Sequence, residues 1–391
     1  MKILEINKFN YVSGGADRHF LDVTALLKSK GHQVAVFSMH NKANEPSSWQ
    51  KYFVSYIGFQ PSDSLWNKIR GVCRMFYSFE ARNKISKLLD EFHPDLVHIH
   101  NIYHQLSPSI LLEIKKRNIP IVMTIHDYEF ISPDRDGYFE TVGTSYWKFL
   151  FMEKYSFIRR FILVLKKYFH KLLGISNFID LFISPSEFTK KIFIKAGVPE
   201  NKIFMLPHFL EDAFLIQEGK EINERYALYF GRICEEKGIN ELIEMFDSIF
   251  NLKLYIAGAS EKNFLMKQSA NVKYLGKLDK NELNHYISKA TFVISASRLQ
   301  ETFGLIALEA IGLGTPFIGL NAGAYQEIIT QNISGFILNT PQEMKNIIEK
   351  IADQKINFNR EKIIQETRKR YNSNRYYNQL IDIFSKYVIS K

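Results

Sequence analysis

Tyr226-Ala-Leu-Tyr-Phe-Gly-Arg-Ile-Cys-Glu-Glu-Lys-Gly238 decides the fold of this chain. Its first five residues are apolar or aromatic without a break, which suits a strand buried on both faces of a parallel sheet. The run stops at Gly231, Arg232 follows at once, and Lys237 stands just before Gly238. A helix opens there: Ile239, Leu242, Ile243, Phe246 and Phe250 recur at helical spacing over Ile239–Phe250. Strand, short loop and helix make half of a βαβ unit. Arg232 and Lys237 then fall at the carboxyl end of a strand, where open α/β sheets bind ligands. Arginine offers a planar fork for phosphate and lysine a compact point charge. The stretch by itself also allows two solvated surface cations.

The same grammar runs outward in both directions. Before this stretch, Ile3–Ile6, Val34–Phe37, Leu96–Ile99, Ile121–Ile125 and Leu181–Ser184 read as strands, with helices such as Asp17–Lys30 and Glu187–Ala196 between them. After it come Leu252–Ala257, Phe292–Ser295 and Pro316–Gly319. Alternation of this kind predicts parallel strands with right-handed crossovers. A chain of 391 residues exceeds one ordinary core, so the expectation is two tandem doubly wound Rossmann-like domains facing a central cleft. The boundary is placed at Leu206-Pro207-His208, giving domains 1–207 and 208–373, with a last helix in 374–391 crossing back to the first.

Composition bounds the partners. The net charge of +10 favours an anionic one, such as a phosphate, an anionic lipid or a nucleic acid. Two cysteines, Cys73 and Cys234, argue against a disulfide framework or a cysteine zinc site. The first residues read as a strand rather than a signal peptide, and no run approaches the roughly 18 apolar residues of a membrane span. A cytoplasmic protein, peripheral on the inner leaflet of the plasma membrane, is expected.

Glu301-Thr-Phe-Gly-Leu-Ile-Ala-Leu-Glu-Ala-Ile-Gly-Leu-Gly-Thr-Pro316 carries two carboxylates. Gly304 marks a loop-to-helix transition, which leaves Glu301 on the loop and Glu309 about a turn into the helix. Glu309 sits in an apolar run and is expected to be buried, at a cost of several kcal/mol unless something polar meets it. Gly14-Gly15 opens a helix after the first strand and can bring backbone amides to an anion. It lacks the third glycine of a dinucleotide fingerprint, and no acid closes the second strand, so a nicotinamide enzyme is disfavoured. His126-Asp127 ends another strand. His98, His100, His104 and His126 match no standard ligand set, and no metal is expected. Asp134-Arg-Asp136 reads as a solvated turn. Between Tyr146 and Leu173 lie seven cations, Lys148, Lys154, Arg159, Arg160, Lys166, Lys167 and Lys171. They flank an apolar helical stripe of Phe151, Tyr155, Ile158, Ile162, Leu165, Phe169 and Leu172. This pattern fits either a membrane interface or a core helix with a solvated basic side.

Taken together, these residues resemble the retaining family 4 glycosyltransferases of GT-B architecture, over nearly the whole chain. The resemblance rests on Gly14-Gly15, Pro94-Asp-Leu-Val-His-Ile-His100, His126-Asp127-Tyr128, Ser184-Pro-Ser186, Gly231-Arg232 with Lys237-Gly238, and Glu301 and Glu309 with Gly314-Thr315-Pro316. Departures occur at His208-Phe209 after Pro207, at Ser132 before Pro133, and at Ala324-Tyr325-Gln326 before Glu327. The resemblance implies that Arg232 and Lys237 grip the diphosphate of a nucleotide-sugar donor, in place of a metal. It implies that Glu309 binds the ribose, that Glu301 and His126 contact the transferred sugar, and that amides around Phe303, Gly304 and Leu305 add to phosphate binding. Gly14, Gly15 and Gly231 complete the donor-side set. The implied reaction is transfer with anomeric retention and no cofactor; the basic aromatic segment and the net charge point further to a glycan or polyprenyl-linked acceptor in envelope polysaccharide synthesis and to an anionic membrane surface meeting residues 146–173. The rivals are a nucleotide-sugar epimerase or hydrolase of the same fold, and a basic nucleic-acid-binding protein. The polar residues stand at strand edges rather than among base-stacking aromatics, which disfavours the last.

Overall fold

The computed structural model describes residues 1–58, 64–134, 145–153, 155–210, 224–261 and 264–389. The chain divides into two units. Unit 1 is Met1–Leu206 with Tyr377–Lys391, and unit 2 is Pro207–Tyr376.

Unit 1 holds a parallel six-stranded sheet. Its strands are β1 (Lys2–Ile6), β2 (Gln33–Phe37), β3 (Leu96–Ile99), β4 (Ile121–Thr124), β5 (Leu181–Ser184) and β6 (Ile203–Met205), in the order β2-β1-β3-β4-β5-β6. Unit 2 repeats the plan with β7 (Tyr226–Phe230), β8 (Lys253–Ala257), β9 (Val272–Gly276), β10 (Phe292–Ser295), β11 (Phe317–Leu320) and β12 (Gly335–Leu338), in the order β12-β11-β10-β7-β8-β9. Strand order reverses between β1 and β3 in one sheet and between β7 and β10 in the other. In doubly wound sheets these reversals leave crevices at the carboxyl ends of the strands.

The central strands are buried along their length and read as unbroken apolar runs for that reason. The sheet of unit 1 is covered on one face by a cluster containing Phe37, Ile85, Leu88, Ile110 and Phe193. Each face of the unit 2 sheet carries its own cluster, one around Phe246, Ile256 and Met344, the other around Tyr226, Leu308 and Phe317. Each fully buried side chain of this size contributes about 1.5–3 kcal/mol. Helix starts are marked by short polar side chains. Ser186 accepts from the Thr189 amide at 3.1 Å, and Asp279 and Glu282 form a reciprocal capping box. The last helix, Ser373–Ile389, packs in unit 1 from Tyr377 on, where Tyr377 bonds His32 at 2.8 Å and the Phe384 ring lies 5.3 Å from that of His98.

The segment 146–173 differs from the single amphipathic helix expected. A short 3-10 turn, Tyr146–Phe151, precedes a separate helix, Phe157–Leu172, and Lys154 lies outside the described residues. Two of its cations face inward. Lys166 is 1% exposed and paired with Glu129 at 2.7 Å, and Lys167 donates to the carbonyls of Glu129 and Phe130 at 3.0 and 2.6 Å. The apolar stripe instead lies outward at Phe151, Ile158, Leu165 and Leu172. Lys166 turns in to meet the buried Glu129 carboxylate, which His104 also meets at 2.6 Å, and Lys167 turns in to the backbone carbonyls beside it.

Candidate functional site

The residues expected to act are divided between the two units, with Gly14, Gly15 and His126 in unit 1 and the others in unit 2. In unit 2, Gly231 follows β7 and Arg232 pairs with Glu261 at 2.9 Å. Lys237 ends the 3-10 turn Glu235–Lys237, and its ammonium pairs with Glu301. Both side chains are largely buried, 16% and 19% exposed. Ser297, just past β10, donates to the same Glu301 oxygen, Oε1, at 3.0 Å. The Glu301 backbone is held as well, since its carbonyl accepts from the Ala324 amide at 3.0 Å. Gly238 fixes the Lys237 turn: it has φ of 68°, and a Cβ there would collide with the Ala296 carbonyl at the end of β10. The sequence-distant Lys237 and Glu301 are thus brought together by the adjacency of β7 and β10.

The helix Leu305–Gly312 starts at Gly304, whose φ is 100° and where a Cβ would lie 2.5 Å from the Tyr325 ring. Glycine is required there on both counts. Phe303 is buried against His208, ring centroids 4.7 Å apart. Ala307, Leu308, Ala310 and Ile311 form the buried face of this helix, whereas Leu305 and Glu309 are half-buried. The expectation of a buried Glu309 is therefore corrected. Its position is one turn in, but the apolar residues after it belong to an adjoining face, so the carboxylate keeps access to solvent. Tyr229 and Tyr325 line the interior below Glu301. Burial first, and the Glu301 charge with it, raises both phenols above their usual range and keeps them neutral.

In unit 1, His126 follows β4 and its Nε2 lies 2.8 Å from His100 Nδ1. His100 Nε2 reaches Glu5 Oε2 at 3.1 Å, and His98 Nδ1 reaches Glu5 Oε1 at 2.9 Å. Glu5, His98 and His100 are all fully buried. The register that pairs β1 with β3 sets Glu5 opposite His98. Burial alone would raise the Glu5 pKa, but His98 and His100 outweigh it and hold the carboxyl at about 2. Burial, and then the nearby His98, push His100 down to about 4. His98, His100 and His126, from β3 and the ends of β3 and β4, thus converge, while His104 belongs to the Glu129 cluster. Glu5, His98 and His100 offer ligand atoms within 4.8 Å of one another, and all of those atoms already share hydrogen bonds within the cluster or with Thr124 and His126.

Gly14 and Gly15 are exposed at the start of the helix Gly15–Ser29. The amides of Ser13 and Gly14 bond the buried carboxylate of Asp17, which also accepts from Asn7 at 2.9 Å. An internal anion therefore takes the Gly14 amide that the sequence offered to a ligand. Asp134 is buried rather than solvated, and Asp136 lies outside the described residues. Sequence reasoning missed Glu5, Asp17, Glu129 and Ser297. A charge inside the apolar strand Ile3-Leu4-Glu5-Ile6 was the available signal for the first, since such a group demands a partner.

Known proteins share this fold. Residues 13–214 match the model of Glycosyltransferase Family 4, and residues 212–370 match that of Glycosyl transferases group 1. The chain belongs to glycosyltransferase family 4. A 42.6 kDa protein of the Klebsiella pneumoniae cps region is 25% identical over 347 residues, covering 84% of this chain and 87% of that protein. The capsular polysaccharide biosynthesis glycosyltransferase CapM of Staphylococcus aureus is 32% identical over 145 residues, 34% of this chain and 37% of CapM. Among solved structures, Anabaena Alr3699/HepE in complex with UDP-glucose superposes with a TM-score of 0.70 at 18% identity, covering 99% of this chain and 100% of that one. The α/β two-domain fold is that of GT-B glycosyltransferases, and the chain is a glycosyltransferase of this family with relatives in capsule and polysaccharide synthesis. Among the described residues, no helix is long and apolar enough to cross a membrane.

Proposed function

We propose that this glycosyltransferase moves a sugar from a nucleoside diphosphate sugar, with retention and without a metal, onto a lipid-linked glycan of an envelope polysaccharide. The observation that carries the reading is the Lys237–Glu301 pair beside Arg232 at the β7/β10 reversal. In the proposed complex, Lys237 and Arg232 neutralise the diphosphate as the bond between the sugar C1 and the phosphate oxygen breaks. Fixed charges in a water-poor site need little reorganisation at that moment. Two carboxylates hold these cations in place beforehand. Glu301 Oε1 is engaged by Lys237 and Ser297, which directs Oε2 to a sugar hydroxyl. Glu309, half-exposed one turn into its helix, accepts from the ribose hydroxyls. The acceptor hydroxyl attacks C1 from the face the diphosphate leaves, its proton passing to the departing phosphate oxygen. The HepE complex with UDP-glucose supports the donor class, and the cps-region relative supports the glycan class.

A lipid-linked acceptor is supported by an exposed apolar surface in unit 1. Phe157, Ile158 and Leu172 are 60%, 72% and 84% exposed, and Trp66 on the adjoining helix Leu65–Phe76 is 73% exposed. Lys148, Arg159 and Lys171 are exposed around them. Aromatic and aliphatic side chains ringed by cations suit an anionic bilayer surface. The test of the reaction is transfer from nucleotide sugars to a polyprenyl-linked glycan in EDTA, with the product anomer read by NMR. Retained configuration in EDTA is expected. An inverted product, or strict dependence on Mn²⁺, overturns the mechanism, and donor turnover that needs no acceptor selects the epimerase or hydrolase reading.

A further inference from the structure

We infer that a cavity in unit 1, walled on one side by the inner face of the helix Phe157–Leu172, binds an amphiphilic phosphate, an anionic head on an apolar chain. The inference goes beyond the donor reading of unit 2, and its test uses neither donor nor transfer. The cavity has a volume of about 440 Å³, inside the roughly 300–1,000 Å³ of small-molecule sites. It is lined by Tyr103 and Phe130, just past β3 and β4, and by Ile179 and Lys202, just before β5 and β6. In a parallel sheet those positions lie at opposite edges, so the cavity is long enough for a chain. Four lysines, Lys166, Lys167, Lys171 and Lys202, and one carboxylate, Glu129, stand in its wall. Lys166 is matched by Glu129 at 2.7 Å. His170, also in the wall, stays neutral, because burial and then Lys166 and Lys167 push its pKa down to about 3. Lys167, Lys171 and Lys202 are left as a surplus of positive charge, which a walled site focuses on an anion. Apolar residues, Met123, Phe182 and Val198 among them, make most of the remaining wall.

Lys167 decides the class of ligand. It is 8% exposed, its Nζ donates to the carbonyls of Glu129 and Phe130 at 3.0 and 2.6 Å, and among the described residues no carboxylate pairs with it. The rings of Phe130 and Tyr146 flank the Nζ at 6.0 and 5.7 Å. The titratable groups around it are Lys166 and His170 on its own helix, Glu129 and Asp127 from the segment after β4, and Tyr146 from the preceding 3-10 turn. Burial, and then the charge of Lys166, lower its pKa to about 7. The amine is therefore roughly half neutral at pH 7. Two N–H groups meet the two carbonyls in either form. The third position is a lone pair in the amine and an N–H in the ammonium. An anion in the cavity favours the ammonium and raises this pKa, so its binding takes up a proton, whereas an uncharged apolar ligand leaves the pKa low.

The probe is decyl methyl phosphate, a phosphodiester whose single charge does not titrate near neutral pH. Calorimetric titration of the full chain, below the micellar concentration and at pH 7 in buffers of different ionisation heat, counts the protons taken up. One-to-one binding with uptake of about half a proton is expected. Inorganic phosphate and decanol, the head and the chain alone, should each bind at least roughly tenfold more weakly, since each lacks one half of the match. Lys167→Met should weaken the probe roughly 10–100-fold, the scale of one charge-assisted hydrogen bond, and abolish the proton uptake. Absence of binding, or binding without proton uptake, overturns the inference, and that measurement needs no variant to fold. Inorganic phosphate that binds as tightly as the probe overturns it as well. Neutral vesicles carrying a polyprenyl phosphate distinguish the sources of such a ligand. Co-sedimentation that Lys167→Met abolishes assigns the cavity to a membrane lipid, and binding of the free probe alone assigns it to a soluble amphiphile.

Discussion

Replacing Glu129 with glutamine should destabilise unit 1 severely, although the residue lies outside every motif that identifies the family. Glu129 Oε1 is 2.7 Å from the ammonium of Lys166 and 2.6 Å from His104 Nε2, and the Lys166 and Glu129 side chains are 1% and 9% exposed. Removing one partner of a buried pair leaves an uncompensated charge and costs about 3–5 kcal/mol. For a unit of this size each kcal/mol moves the melting temperature by roughly 2–4 °C, so Glu129→Gln should lower it by roughly 6–20 °C. The pH dependence follows from the direction of the shift. Burial opposes ionisation of Glu129, but His104 and Lys166 prevail and hold its carboxyl far below the usual range. A depressed carboxyl stabilises the fold fully above its unfolded pKa of about 4.3, and that stabilisation is lost as pH falls further toward the folded pKa. Calorimetric scans of native and variant protein should therefore differ fully at pH 7 and begin to converge only below about pH 4. A difference under 2 °C at pH 7, or a gap that widens in acid, would refute this reasoning.

Glu309→Gln should weaken nucleoside diphosphate binding by about 1–3 kcal/mol, measured by calorimetric titration, and leave the melting temperature of the ligand-free protein near native because the carboxylate is not sealed in the core. Gly304→Ala forces a left-handed backbone on alanine and drives a methyl into the Tyr325 ring, so it should cost at least about 1–3 kcal/mol in denaturant titration. Reversing Lys148, Arg159 and Lys171 to glutamate should remove about 1 kcal/mol of attraction per residue, roughly 10²-fold in co-sedimentation with anionic vesicles, while leaving nucleoside diphosphate affinity unchanged. Native protein that stays in the supernatant at low salt contradicts the membrane surface.

The central strands were legible because burial on both faces writes an unbroken apolar run, as in Tyr226–Phe230 and Phe292–Ser295. The three strands that escaped notice, Ile203–Met205, Val272–Gly276 and Gly335–Leu338, all lie at sheet edges, where one side is solvated and the run is short or mixed. Arg232 and Lys237 were legible at the end of a strand and Glu301 on the loop before a helix, but their partners were not. Pairing of Lys237 with Glu301 depends on β10 lying beside β7, a neighbour relation that no local pattern records. The same holds for Lys166 and Lys167. A helical stripe tells which residues share a face, but the choice of the inward face was made by Glu129, 37 residues before Lys166. Glu309 was read as buried because its neighbours in sequence are apolar, whereas three-dimensional burial follows the helix face.

The central claim is that the β7/β10 edge of unit 2 binds a nucleoside diphosphate through its cations. Calorimetric titration of UDP and GDP into the full chain in EDTA, repeated with Lys237→Ala, measures this. One of the two nucleotides should bind with one-to-one stoichiometry, and the folded variant should bind it at least tenfold more weakly. Absence of binding of both by the native protein, or an affinity that Lys237→Ala leaves untouched, would contradict the site described for this glycosyltransferase.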